Sequence, residues 1–221
     1  MKVEDVKITG DDHVVSGLFS RPESAFATLV LAHGAGAGMR HEFMERFTEL
    51  FFERDIAVLR YQFPYMEAGS RRPDRAPTCI ATVRAAFESA REIAGDLPIF
   101  LAGKSMGGRM SSMAMAEEHD ERASGIIFLG FPLHPAGKEG TKRGDHLSDV
   151  QVPMYFVQGT RDKLADMELI QQTVTPLALA DMFVVEGADH GFKVLKRSGL
   201  IQAAVEVEMA DAVANWLRKR V

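Results

Sequence analysis

The sequence predicts an α/β fold, a three-layer α/β/α sandwich built on a mostly parallel sheet, from three features. Wholly apolar runs such as ATLVLA at 27–32 mark strands buried on both faces, as strands of a parallel sheet are. These runs alternate with amphipathic stretches of helical length, which is the signature of βα units. One strand-to-helix junction also carries a serine between glycines, Gly103-Lys104-Ser105-Met106-Gly107, and a sharp corner needs such chemistry.

Taken in order, residues 3–9 and 13–19 alternate in part and are joined through Gly10-Asp11-Asp12, so an antiparallel hairpin is expected to open the chain. The buried strand 27–32 runs into a glycine-rich loop. A helix over 42–54, a strand at 56–60, a helix over 77–94 and a strand at 98–102 follow. After Ser105 the pattern predicts a helix to residue 118, strands at 125–129 and 154–158, a helix over 166–179 and a strand at 182–186. A final amphipathic helix ends in 212–220. No repeat or linker interrupts the series, so residues 1–221 are expected as a single domain. Segment 132–149, rich in glycine, proline and charge, sits where a lid could be inserted. It is too short for a large cap domain, which would leave the site open.

Composition narrows the partners. With 26 basic and 31 acidic residues dispersed along the chain, no cationic footprint for a phosphate backbone exists, and nucleic acid is not expected. The short run Arg71-Arg72 with Arg75 reads as a solvated loop or as a holder of an anionic substrate. Cys79 is the only cysteine, so neither an intrachain disulfide nor a cysteine metal site can form. The charged first ten residues lack the apolar stretch of a signal peptide, and no run of apolar residues is long enough to span a bilayer. A cytoplasmic protein without membrane association, metal or cofactor is expected. Its oligomeric state, monomer or homodimer, is not legible.

The chemistry centres on Ser105. A G-x-S-x-G run can be a tight turn with a capping serine. Here an apolar strand precedes it and a helix follows, the context in which a serine is lifted above a sheet as a nucleophile. A serine hydroxyl needs a neighbouring imidazole to take its proton. Of seven histidines, His190 in Gly187-Ala188-Asp189-His190-Gly191 lies on a loop after the last strand, where the chain order nucleophile, acid, histidine puts the base. Asp162, in Gln158-Gly159-Thr160-Arg161-Asp162, follows a strand and is the carboxylate expected to orient His190. An Asx turn is the other reading of Asp162, Asp166 is expected to open the next helix, and Asp189 is too near His190 in sequence.

Acyl transfer also requires donors for an oxyanion. The backbone N–H of Met106, at a helix N-terminus, is one candidate. The other is Ala35 in the loop His33-Gly34-Ala35-Gly36-Ala37-Gly38, which lacks the Lys-Ser or Lys-Thr of a phosphate loop. Lys104 is expected to support the elbow rather than to reach the serine hydroxyl. Tyr61 and Gln62, after a strand at the carboxyl end of the sheet, and His134 in the irregular segment are candidate walls of a substrate pocket; packing is the equal alternative for Tyr61 and Gln62, and a surface or hydrogen-bonding role is the favoured one for His134.

With these residues in hand, the chain resembles the α/β-hydrolase superfamily along essentially its whole length. HGAGAG, RYQFPY, GKSMGGRM, FPLHP, GTRD and ADHGFK together resemble a small capless branch of dienelactone hydrolase-like proteins that includes testis-expressed-protein-like hydrolases. The resemblance implies an α/β-hydrolase fold with about eight strands and a Ser105, Asp162, His190 triad. True dienelactone hydrolases use a cysteine where this chain has Ser105, so lactone specificity does not carry over. The expected activity is metal-independent serine hydrolysis of a carboxylic ester or thioester of a small molecule. A non-catalytic binding or scaffold protein on the same fold and an acyltransferase are the alternatives.

Overall fold

In the computed structural model, which describes residues 1–221, the apolar runs assemble into one eight-stranded sheet. Strands β1 (Glu4–Thr9) and β2 (Val14–Ser20) form the antiparallel hairpin, with Ile8 opposite Val15. Next along the chain come β3 (Ala27–Ala32), β4 (Ile56–Tyr61), β5 (Ile99–Lys104), β6 (Ala123–Leu129), β7 (Met154–Gly159) and β8 (Ala180–Val185). They lie in the order β1-β2-β4-β3-β5-β6-β7-β8. Strands β3 to β8 are mutually parallel, and β2 meets β4 antiparallel.

This order locates the site before any side chain is considered. From β3 the chain moves to β4 on one side and returns to β5 on the other, so the loops leaving β3 and β5 diverge. Such a switch point opens a crevice at the carboxyl ends of the strands.

Two helices, α1 (Glu42–Phe52) and the last helix of the chain, cover one face of the sheet through Met44, Phe47, Val213 and Leu217. A four-residue turn, α2 (Pro64–Glu67), leads to α3 (Ala76–Ala94), which with α4 (Met106–Glu117) and α5 (Met167–Val174) covers the other face. The last helix is α6 (Gln202–Arg218). Burial on both faces explains why β3 and β4 contain no exposed position.

Several local expectations shift. Helix α5 stops at Val174 instead of reaching 179, because Pro176 lacks an N–H and its ring clashes with the preceding turn. The chain then enters β8 two residues early, with Ala180 opposite Met154. Segment 132–149 contains a 3₁₀ turn, Lys142–Asp149, that packs on the flank of α4 through buried Leu147 and a 2.8 Å bond between Ser112 Oγ and His146 Nε2. No helix is long and apolar enough to cross a membrane.

Helix α4 lies unusually close to the sheet. A Cβ on Gly103 would stand 2.1 Å from the Gly108 nitrogen, and one on Gly107 would stand 2.5 Å from the Ala32 carbonyl oxygen. Both obstacles are backbone and cannot rotate away. Gly103→Ala and Gly107→Ala are therefore each expected to cost about 3 kcal/mol or more, lowering Tm by roughly 6–12 °C or abolishing soluble expression. A Tm within 2 °C of the wild type would show that the helix can retreat freely.

Candidate active site

Ser105 occupies the corner between β5 and α4 with φ of 52° and ψ of −115°. A residue with a side chain pays about 1–3 kcal/mol for such a conformation, and the surrounding backbone enforces it. The Ser105 N–H donates to Leu129 O (3.2 Å), while Arg109 N–H donates to Ser105 O (3.1 Å). The hydroxyl lies 2.8 Å from His190 Nε2, and His190 Nδ1 lies 2.7 Å from Asp162 Oδ2. Because a carboxylate only accepts, Nδ1 carries the proton and Nε2 is left to accept from the serine.

Asp162 is buried and held from several sides. Its Oδ2 accepts from Gln158 Nε2 (2.6 Å) as well as from His190, and its Oδ1 accepts from Leu164 N–H (2.8 Å). Gln158 is fully buried and its Oε1 accepts from Phe131 N–H (2.9 Å), so its amide cannot swivel away from the carboxylate. Gln158 was not singled out in the sequence. Its signal was an amide at the end of an otherwise apolar strand, MYFVQG.

The turn carrying His190 is shaped by Asp189, whose Oδ1 accepts from both Gly191 N–H and Lys193 N–H at 2.9 Å. It packs directly on the loop bearing Asp162. Arg161 N–H donates to Ala188 O (2.9 Å), and a Cβ on Gly159 would stand 2.4 Å from that same oxygen. Asp166 caps α5 by accepting from Leu169 N–H (3.1 Å), as the sequence predicts.

Across the crevice, the loop 33–41 leaving β3 passes beside the elbow, with Gly34 against Lys104 and Ser105. The Ala35 N–H makes no hydrogen bond within the protein, and Ala35 is exposed to the crevice. Met106, the first residue of α4, has no intrahelical acceptor for its N–H.

The expectation that Tyr61, Gln62 and His134 form pocket walls is corrected by their packing. Tyr61 is fully buried in the core against Phe63, because β4 runs one residue longer than predicted and carries it under the sheet's cover. Gln62 faces the loop instead of the crevice, its Oε1 accepting from Met39 N–H (2.8 Å). His134 is a buried strut between two loops: its N–H donates to Leu164 O (2.9 Å), and its Nε2 accepts from Asp166 N–H (2.8 Å).

The segment RYQFPY is thus the fastening of the loop 33–41. Arg60 Nη1 donates to Met39 O (3.2 Å), Gln62 receives Met39 N–H, and Tyr65 Oη receives Gly36 N–H (3.0 Å). His33 completes it. Fully buried, it donates from Nδ1 to Gly34 O (2.7 Å) and accepts Phe63 N–H at Nε2 (3.1 Å). Burial pushes its pKa down to about 4.

The crevice is a cavity of about 560 Å³ that reaches from Ser105 and His190 to Phe43, Phe47 and Phe192. Lys104 also lines it but makes no bond to the Ser105 hydroxyl, and burial lowers its pKa to about 8.

Two expectations follow from the fastening. Gln62→Leu and Tyr65→Phe each remove one bond to the loop, worth about 1 kcal/mol. Each should lower kcat for an activated ester by about three- to tenfold while leaving the rate of covalent Ser105 labelling less affected; unchanged kcat in both would detach the loop from catalysis. His33 is neutral when folded down to pH 4 but takes a proton near 6.5 when unfolded. The unfolded chain therefore binds more protons between these values. Stability should be complete above pH 6.5 and fall by about 3 kcal/mol toward pH 4 on account of this group. Urea titrations of His33→Asn should show a shallower slope in that window than the wild type does.

A protein-family model described as alpha/beta hydrolase domain matches residues 25–218. Among solved structures, dienelactone hydrolase from Anabaena variabilis superposes with a TM-score of 0.78 at 16% identity, covering 100% of this chain and 98% of that one. A lidless α/β serine hydrolase from Xanthomonas campestris gives 0.76 at 18% identity, covering 99% and 94%. An α/β serine hydrolase homologue from Coxiella burnetii gives 0.75 at 19%, covering 97% of each chain. At such identities the likeness is one of fold.

Proposed function

The chain belongs to the α/β-hydrolase family, and from that premise we propose that it is a metal-independent serine hydrolase cleaving a carboxylic ester or thioester of a small molecule. The observation that carries this reading is the continuous relay from the Ser105 hydroxyl to His190 Nε2 (2.8 Å) and from His190 Nδ1 to Asp162 (2.7 Å), at a residue with positive φ beside a cavity.

In the reaction, Ser105 Oγ attacks the acyl carbon while its proton passes to His190 Nε2. The imidazolium so formed shares its charge with Asp162, which Gln158 and Leu164 hold in place. The carbonyl oxygen becomes an oxyanion between the N–H groups of Ala35 and Met106, the second also at the positive end of α4. Collapse of this intermediate expels the alcohol or thiol, which takes the proton from His190. Water, deprotonated in turn by His190, then attacks the acyl carbon, and His190 returns the proton to Ser105 Oγ as the acid leaves. These steps use only Ser105, His190, Asp162 and two backbone N–H groups.

A fluorophosphonate probe should label the wild type at Ser105 and leave Ser105→Ala unmodified. On 4-nitrophenyl acyl esters of increasing length, Ser105→Ala should lose about a millionfold in kcat, and Asp162→Asn about a thousandfold or more because the imidazole is left in the wrong tautomer. A folded wild type that neither reacts with the probe nor turns over any ester of the series would end this reading.

A further inference from the structure

Of the lysine and arginine side chains lining the cavity beside Ser105, Lys104 alone has no ion pair. Arg46 bonds Glu206 (3.2 Å), Lys193 lies 3.9 Å from Glu42, and His190 is paired with Asp162. Lys104 has neither an ion pair nor a hydrogen bond, although it lines the same cavity. Its stem passes beneath the loop 33–41, where a Cβ on Gly34 would stand 3.6 Å from its Cγ. Its Nζ ends 5.7 Å from the centre of the Phe43 ring and 5.5 Å from that of Phe192, two rings stacked 6.0 Å apart. The reacting centre is near: a Cβ on Gly130 would stand 3.4 Å from this Nζ and 3.6 Å from His190 Nδ1.

An ammonium in that place loses much of its hydration, and two cation–π contacts offset only part of the loss. Asp162 and Asp189 favour its charge from a distance, but each is committed to its own hydrogen bonds. The donors of Lys104 are therefore free on the side that faces the cavity. The rings of Phe43 and Phe192 flank its ammonium, while the other charged groups lining the cavity are paired with one another, Arg46 with Glu206 and Lys193 with Glu42. A single unpaired positive charge beside two phenyl rings matches a monoanion better than a dianionic phosphate.

We propose that Lys104 is a specificity-determining residue that binds a carboxylate of the substrate, so that the preferred esters or thioesters carry a second, free carboxylate group. This rests on the serine-hydrolase reading above. The apolar part of such a substrate would lie against Phe43 and Phe192 while its scissile carbonyl meets Ser105.

The test compares mono-4-nitrophenyl esters of succinate, glutarate and adipate with uncharged straight-chain 4-nitrophenyl esters of matched length, in the wild type, Lys104→Met and Lys104→Arg. The readout is the ratio of kcat/KM for acidic over neutral ester, from which any general loss of activity cancels. The wild type should favour at least one acidic ester by about ten- to hundredfold, mainly through KM. Lys104→Met should bring that ratio close to one, and Lys104→Arg should keep part of it. A wild type that prefers the neutral ester at every length, or the same ratio in Lys104→Met, overturns the proposal. Should Lys104→Met not fold, the wild type alone decides it: the monoanion glutaramate must slow fluorophosphonate labelling of Ser105 more than neutral glutaramide does, and equal protection overturns the assignment. Absence of both labelling and turnover would instead overturn the hydrolase reading and this one with it.

Discussion

Everything at the site depends on the near-contact between the start of α4 and the backbones of β3 and β5. Where Gly107 meets Ala32 and Gly103 meets Gly108 there is no room for a Cβ, and the chain reverses direction within the one residue between strand and helix. That residue is Ser105, and its positive φ is the geometric result of the crowding. The same approach starts α4 directly after Ser105, where the Met106 N–H has no intrahelical acceptor, and brings the loop leaving β3 alongside Ser105. One packing constraint thus places around a half-buried serine an N–H at a helix terminus and a neighbouring loop with an unused N–H.

The remaining groups come from the far side of the sheet and are fixed independently. Asp162 follows β7 and His190 follows β8, and their loops lock together through Arg161 N–H, Ala188 O and the missing side chain of Gly159. Both loops leave parallel neighbours in register, Gly159 opposite Val185, so their separation is set by the strand spacing. Gln158 and Leu164 then hold the carboxylate at the distance that His190 needs. On the other side, His33, Arg60, Gln62 and Tyr65 anchor the loop 33–41. Charge that develops in a reaction here meets dipoles already in position, so little reorganisation is required.

The sequence made the fold largely legible because both signals it relied on are local. Apolar runs such as ATLVLA and ASGIIFL mark strands covered on both faces, and glycines around Ser105 mark a corner. Ser105, Asp162 and His190 were legible for a related reason: in an ordered succession of βα units, the loop after each strand is known once the strands are. The roles of Tyr61, Gln62 and His134 were not. Whether a residue just past a strand faces a crevice, the core or another loop depends on the register of its last turn. At Tyr61 one further residue of β4 turned a candidate wall into core. Gln158 was invisible for the converse reason, since a buried amide is explained only by the two partners that folding brings to it.

The groups that would perform the chemistry and those that shape the cavity are also held by different parts of the chain. Ser105, Asp162, His190 and the loop with Ala35 all follow the carboxyl ends of strands. The apolar walls Phe43 and Phe47 sit on α1, and Phe192 sits on the turn after His190, itself in a positive-φ conformation that Asp189 stabilises. Lys104 is the exception, because it lies on β5 beside Ser105 yet ends among those walls. Its backbone continues β5 into the corner while its side chain ends between the Phe43 and Phe192 rings, so a single position joins the corner at the end of β5 to the apolar face of α1.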